Sequence, residues 1–323
     1  KHLVAIDRPF TTIVAGNKSA NDDIKAIFDE AGKDVVITAN VMPQFNKLNI
    51  EPARDAIRQL FISRIIEAKG LNILQSMTSY KIIPTPLAVL HACELLSKGT
   101  KTQQGRGDLL AVDIGGATTD VYSMASGEPT VDNTMLKGLP EPWMKRTVEG
   151  DLGMRYSLTH VYEQIPGSDN PENEYMQQVK AWVELCTARP DTLAAPGSEE
   201  EKLEEFLGRS AVSMAVERHC GRIADVYTPL GLMHTQEGKD LMNVPSVIGI
   251  GGVLRNSRRP EEILKGSLYD FMHPECTKPR KPKFYLDQKY IFASMGLLRS
   301  INPELAFELL DKETVEIGCN ATV

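Results

Sequence analysis

Apolar positions along this chain switch repeatedly between a two-residue and a helical period. Residues 1 to 15 read as strand, first in LVAI and again in FTTIVA, and NKSANDDIKAIFDEAG after them has helical spacing. DVVITAN returns to the strand period. A long amphipathic helix is predicted from about Glu51 to Lys69, with Pro52 near its start and Gly70 as its stop signal. A strand end, KIIPTP, then leads into LAVLHACELLS, whose Ala and Leu spacing fits a buried helix, and this alternation predicts α/β layering.

The polar run KGTKTQQGRGD, Lys98 to Asp108, is the clearest linker and sets the expected domain boundary. Beyond it, Leu109 to Ile114, DVYSMASG and a further strand after the SGEP turn imply an antiparallel meander. One helix is predicted to begin near Gly150 to Gly153, and further helices run near Asn173 to Arg189 and near Glu199 to Arg222. VPSVIGIGGVLRN, Val244 to Asn256, reads as a buried strand, a glycine turn and a helix, and a last helix with small residues runs from about Gln288 to Ser300. Residues 164–197, rich in Pro, Asn, Asp and Glu, read as a peripheral insert.

The chemistry concentrates in DIGGATTDV, Asp113 to Val121. A β-rich run enters it, and Gly115 and Gly116 let the backbone turn where side chains would clash. Turn amides are thereby freed to face an anion, and Ala117, Thr118 and Thr119 are small or hydroxylated enough to leave room for a phosphate. Asp113 and Asp120 flank the turn. Acids beside a phosphate loop make sense if a hard cation sits between them, and Mg²⁺, bound through one or two carboxylates plus phosphate oxygens, is the natural choice. A plain hairpin with solvated acids at its ends fits the local pattern equally well.

Length and charge narrow the field. A chain of 323 residues has room for about two domains with full cores. A net charge of −7, with no basic face, gives nucleic-acid binding no support. TKPRKPK, Thr277 to Lys283, reads as a solvated, proline-stiffened loop. Cys93, Cys186, Cys220, Cys276 and Cys319 lack CxxC spacing, which argues against a zinc or iron–sulfur site and for reduced thiols. No apolar stretch approaches the roughly 18 to 20 residues that span a bilayer, so no membrane partner is expected and a cytoplasmic location is. His2, His91, His160, His219, His234 and His273 form no recognisable site.

Taken in order, the glycine hairpin with two acids, GIGGVLR, PTPLAVLHACELL (Pro84 to Leu96) and YIFASMGLL (Tyr290 to Leu298) resemble the second phosphate motif, adenosine motif and two connecting helices of the actin-like ATPase superfamily. NVMPQFNKLNIEPARDAIRQLFISRIIEAKGL (Asn40 to Leu71), TVEGDLGMRYS (Thr147 to Ser157) and the AVERHCG helix are similar, within it, to the MutL/GlmL family of glutamate mutase accessory proteins. The resemblance implies an actin-like, ribonuclease H-like α/β fold. Its first lobe, with the first connecting helix, would span 1–100, its second lobe 101–300, and a tail, 301–323, would pack back on the first. It also implies an ATP- and Mg²⁺-binding factor that reactivates or chaperones an adenosylcobalamin-dependent mutase.

Site roles follow from that resemblance. Gly115, Gly116, Ala117, Thr118 and Thr119 would cradle the terminal phosphates, with Thr118 at the γ-phosphate. Asp113 and Asp120 would hold Mg²⁺ through water, and either could orient the attacking water. Gly249, Gly251 and Gly252 would admit ribose and adenine, with Arg255 stacked on the base; a strand-to-helix turn with a solvated Arg255 is the alternative. Glu217 and Arg218 resemble a ribose-facing Glu-Arg pair, and a surface salt-bridging helix explains them equally. Glu149 and Asp151 would reach the metal or sit as acids at a helix start.

The superfamily's first phosphate loop has no counterpart before Lys98, so a missing N-terminal segment is expected, with ATP hydrolysis by this chain alone weak or absent. Two other readings remain open at this point: an ATP-coupled hydantoinase or oxoprolinase subunit, and a nucleotide-binding scaffold of the pilus or cell-division kind. A homo-oligomer is compatible with all three.

Overall fold

A computed structural model describes residues 2–45, 47–68, 77, 82–139, 141–229 and 231–318. It divides into two compact units, Lys1–Pro84 and Thr85–Val323. The division falls ahead of the helix that the sequence assigns to the first lobe.

In the first unit, β1 (Thr11–Val14) and β2 (Asp34–Ile37) pair in parallel around α1 (Asn21–Glu30), and α2 (Glu51–Ala68) follows. LVAI is not a strand but a 3₁₀ turn, Leu3–Ala5, closed by its own carbonyls. Pro52 stands second in α2, where its missing N–H costs nothing; the expected stop at Gly70 lies outside the described residues.

The second unit is built on a six-stranded mixed sheet ordered β11-β10-β9-β3-β4-β6. Its strands are β3 (Leu109–Ile114), β4 (Thr119–Met124), β6 (Met144–Glu149), β9 (Ser246–Ile250), β10 (Lys283–Asp287) and β11 (Thr314–Ile317). β3, β4 and β6 form the expected antiparallel meander, but with a detour. β5 (Thr134–Lys137) leaves to join β7 (Arg222–Thr228) and β8 (Gly231–Glu237) in a separate three-stranded sheet. β9 runs parallel to both β3 and β10.

Alternating strand residues feed two cores, one on each face of the six-stranded sheet. Leu110, Val112, Ile114 and Val121 face α4 (Leu158–Glu163), α5 (Glu174–Ala188), α6 (Glu199–His219) and α8 (Pro260–Leu264), which follows the short α7 (Gly252–Asn256). Leu109, Ala111, Tyr122, Met124, Ile248 and Ile250 face α3 (Thr85–Lys98), α9 (Phe292–Leu298) and α10 (Pro303–Glu313). Helices on both faces explain why β3 and β9 read as near-continuous apolar runs and why β4 is buried along its whole length.

Three expectations change here. The insert 164–197 is not peripheral, because α5 sinks Met176, Val179, Trp182 and Cys186 into the first core. The run Lys98 to Asp108 is a tied loop rather than a loose linker. The Ser97 hydroxyl donates to the Gly107 carbonyl at 2.6 Å, Thr102 donates to Glu304 at 2.6 Å, and Arg106 reaches Asp311 at 2.7 Å while lying over the Tyr285 ring. Within TKPRKPK, Thr277 and Lys278 are buried: Thr277 bonds the Gly221 and Lys239 carbonyls, and Lys278 donates to Ser213. The described part of the 301–323 tail packs within the second unit through α10 and β11; Cys319 and the residues after it lie outside the described residues.

Candidate functional site

Carboxyl ends of neighbouring parallel strands, where the chain leaves the sheet in different directions, are where α/β sheets bind ligands. Here β3, β9 and β10 end side by side. Asp113 pairs with Asp120 across the hairpin and with Ile250 on the other side, and Asp287 extends the row one residue past Leu286, which pairs with Gly249. Cross-strand neighbours project to the same face, so Asp120, Asp113 and Asp287 share the face that carries α3 and α9.

The three acids have different environments. Asp120 is buried; its Oδ1 accepts from Arg146 Nε at 2.8 Å and Nη2 at 2.6 Å, and its Oδ2 accepts from Thr118 at 3.3 Å. Asp287 caps the turn after β10, accepting the amides of Ile291 at 3.0 Å and Phe292 at 3.1 Å. Asp113 accepts no hydrogen bond from the described residues. Burial, reinforced by the negative charges of Asp120 and Asp287, raises its pKa to about 6 against the opposing pull of Arg146. Of the two acids assigned to Mg²⁺, Asp113 is the one with open lone pairs, while Asp120 is already neutralised by a guanidinium.

The turn after Asp113 is fixed from outside. Met154 N donates to the Gly115 carbonyl, Arg155 N and Tyr156 N to that of Gly116, and the Ser157 hydroxyl to that of Ala117, at 2.8 to 3.0 Å. Gly153 touches Ala117 so closely that a Cβ there would lie 2.2 Å from its carbonyl carbon. With carbonyls turned toward this strap, the amides of Gly116, Ala117 and Thr118 find no acceptor among the described residues. Three adjacent unpaired N–H groups are the cradle expected for an anion. Neither Gly115 nor Gly116 has a positive φ, and a Cβ on Gly116 would make only ordinary contact at 3.6 Å. The turn therefore owes its shape to the strap rather than to glycine's freedom. Thr119 faces away, its hydroxyl bonded to the Leu152 carbonyl.

The second glycine motif meets the first directly. Gly251 has φ +102°, and a Cβ there would lie 2.5 Å from the Ile114 carbonyl oxygen and 2.8 Å from Asp113 Oδ1. Gly249 makes room for Leu254 and Leu264 instead, so its role is helix–strand packing. Gly252 is open to solvent, and Arg255 is exposed at the end of α7.

The remaining sequence candidates are engaged elsewhere. Arg218 binds Glu149 at 2.7 Å and both oxygens of Asp151 at 2.8 and 2.9 Å, and these hydrogen bonds lower the Asp151 pKa to about 2. Glu217 accepts from Arg222 at 2.8 Å. Glu149, Asp151 and Glu217 thus form a salt-bridged surface around α6. His219 is buried between Thr147 and Ser123, in keeping with a structural role.

Sequence reasoning passed over Asp287, Arg146 and Tyr122. Asp287 carried a usable signal, since KFYLD ends an apolar strand in Asp as LLAVD does. Arg146 and Tyr122 carried none, because their role exists only in the pairing of β4 with β6. The Tyr122 hydroxyl is buried with no partner among the described residues, and the negative charges of Asp120 and Asp113 reinforce burial in raising its pKa. No three metal-ligating side chains converge among the described residues. One open carboxylate, an orphan hydroxyl and three free amides suit a phosphate-borne Mg²⁺, which keeps most of its waters.

The family model described as MutL protein matches residues 1–314. Protein MutL of Clostridium tetanomorphum is 46% identical over 308 residues, which cover 94% of this chain and 66% of that protein. The chain thus spans about two thirds of its relative's length. With a family match over nearly its whole length and a relative this similar, the chain belongs to the MutL protein family.

Proposed function

We propose that this chain is the nucleotide-binding part of an accessory protein that uses Mg·ATP to act on an adenosylcobalamin-dependent mutase of the glutamate mutase type. The observation that carries the reading is the set of unpaired amides at Gly116, Ala117 and Thr118 beside Asp113, at the carboxyl ends of parallel strands. Family membership supports the mutase as partner. An actin-like fold is supported by the hairpin set against a parallel strand, by helices on both sheet faces, and by the near-touching backbones of α3 and α9. At that crossing a Cβ on Gly296 would lie 1.8 Å from the Ala88 carbonyl oxygen.

In this reading the three amides hold the terminal phosphates, Asp113 orients the hydrated cation, and Asp120 with Arg146 holds the hairpin's second strand in place. Mg²⁺ would supply charge neutralisation along the phosphate chain. With the cation beside it Asp113 would stay ionised, and its carboxylate could orient an attacking water through a hydrogen bond. Calorimetry of Mg·ATP with wild-type protein and Asp113→Asn tests the site: wild type binds, and the variant loses most Mg²⁺ dependence. Binding independent of Mg²⁺ in both would overturn the cation role. ATPase stimulation by an inactivated mutase, with none by small cyclic amides, separates the accessory role from that of an amidohydrolase subunit.

A further inference from the structure

We infer that Tyr290 is a ligand-binding residue of the same site, its hydroxyl donating a hydrogen bond to the phosphate chain held beside Asp113; this rests on the nucleotide reading above. Tyr290 has φ +57°, a left-handed conformation that a bulky residue seldom adopts. Strain of this kind persists where the surroundings over-determine it, and it clusters at ligand sites.

Folding alone gives little reason for a tyrosine there. The residue is 54% exposed, so it contributes little to the core, and glycine would fit the backbone better. The turn is held by its neighbours: the Asp287 carboxylate accepts the next two amides, Ile291 and Phe292, and Phe292, the first residue of α9, is anchored in the core. The result is a tyrosine three residues past Asp287, at the carboxyl end of β10 and so beside the ends of β9 and β3.

Electrostatics agrees with this placement. Partial burial raises the phenol's pKa, and the negative charges of Asp113 and Asp287 raise it further, so the hydroxyl keeps its proton and acts as a donor. A neutral donor beside two carboxylates complements an anion that arrives with its cation.

The test compares wild type, Tyr290→Phe and Tyr290→Gly, in the protein as it occurs in the cell, by calorimetry with Mg·ATP and by thermal unfolding without ligand. Tyr290→Phe is expected to weaken Mg·ATP about tenfold through loss of a charge-assisted hydrogen bond. Tyr290→Gly should weaken it at least as much while the apo protein's Tm holds or rises, because backbone strain is released. Unchanged affinity in Tyr290→Phe overturns the inference, as does a lowered Tm with full affinity in Tyr290→Gly. Failure of the wild type to bind Mg·ATP would instead overturn the nucleotide reading itself, so the two failures are distinct.

Discussion

Replacing Arg146 by Met should expose how the hairpin tolerates two acids side by side. The guanidinium approaches one oxygen of Asp120 through two nitrogens, at 2.6 and 2.8 Å, and Asp120 is only 7% exposed. Removing one member of a buried pair typically costs about 3 to 5 kcal/mol, because the other charge is left behind without solvent. Arg146 keeps 30% of its side-chain surface in water, which screens the pair and favours the lower end, about 3 kcal/mol. Met preserves the aliphatic stem, so lost packing against Tyr122 adds little. Urea unfolding at neutral pH measures the loss directly. In Asp120→Asn/Arg146→Met no charge is stranded, and stability should return to within about 1 kcal/mol of wild type, a coupling typical of residues in contact. Millimolar Mg²⁺ should raise the stability of Arg146→Met, where the Asp113–Asp120 pair stands bare, and leave the double variant unmoved. An Arg146→Met protein within about 0.5 kcal/mol of wild type would refute the reasoning.

Two further outcomes follow from the same geometry. Gly251→Ala should destabilise by about 2 kcal/mol or more, since the new methyl meets an immobile carbonyl at 2.5 Å on a backbone of φ +102°; denaturant midpoints equal to wild type would contradict the close contact. Stability should also fall as pH drops below about 6.5, because burial and the nearby charges of Lys145 and Lys239 hold His219 neutral in the fold while the unfolded chain takes up the proton. Urea midpoints at pH 7.5 and 5.5 read this, and His219→Gln should flatten the difference; an unchanged slope in that variant would assign the acid sensitivity elsewhere.

Much of the second unit was legible because local chemistry and tertiary demand coincide there. LLAVDI, SVIGI and the helix beginning at Glu199 declare themselves by period, length and caps, such as Ser198 accepting from Glu201 N. The hairpin at Gly115 and Gly116 is present, but the reason for expecting it needs amending. Its glycines suggested a turn that only glycine could make, whereas the turn is shaped by hydrogen bonds from residues 154 to 157, far along the chain. Partnerships of charged side chains were legible only in part: a salt-bridging surface helix is one of the two readings of Glu217 and Arg218, but Glu149 and Asp151 look like separate candidates until the fold joins them to Arg218. Burial misled in one direction, with polar composition hiding core. Asn, Asp and Pro around α5 suggested an outlying insert, although its apolar stripe is core, and the basic TKPRKPK run conceals Thr277 and Lys278 in the interior.

The tied loop between α3 and β3 bears on how this protein can be taken apart. Its lysines, glutamines and glycines mark it as the obvious seam for expressing the two halves separately. A break there would remove α3 from the sheet it covers, leaving Ala92, Cys93 and Leu96 bare on one product and Ala111 and Ile248 on the other. Both products would expose sticky surfaces and would be expected to aggregate. A seam ahead of Thr85 keeps that interior whole, so the second unit should be obtainable with the sheet that carries its glycine hairpin still covered by the helix that follows Pro84.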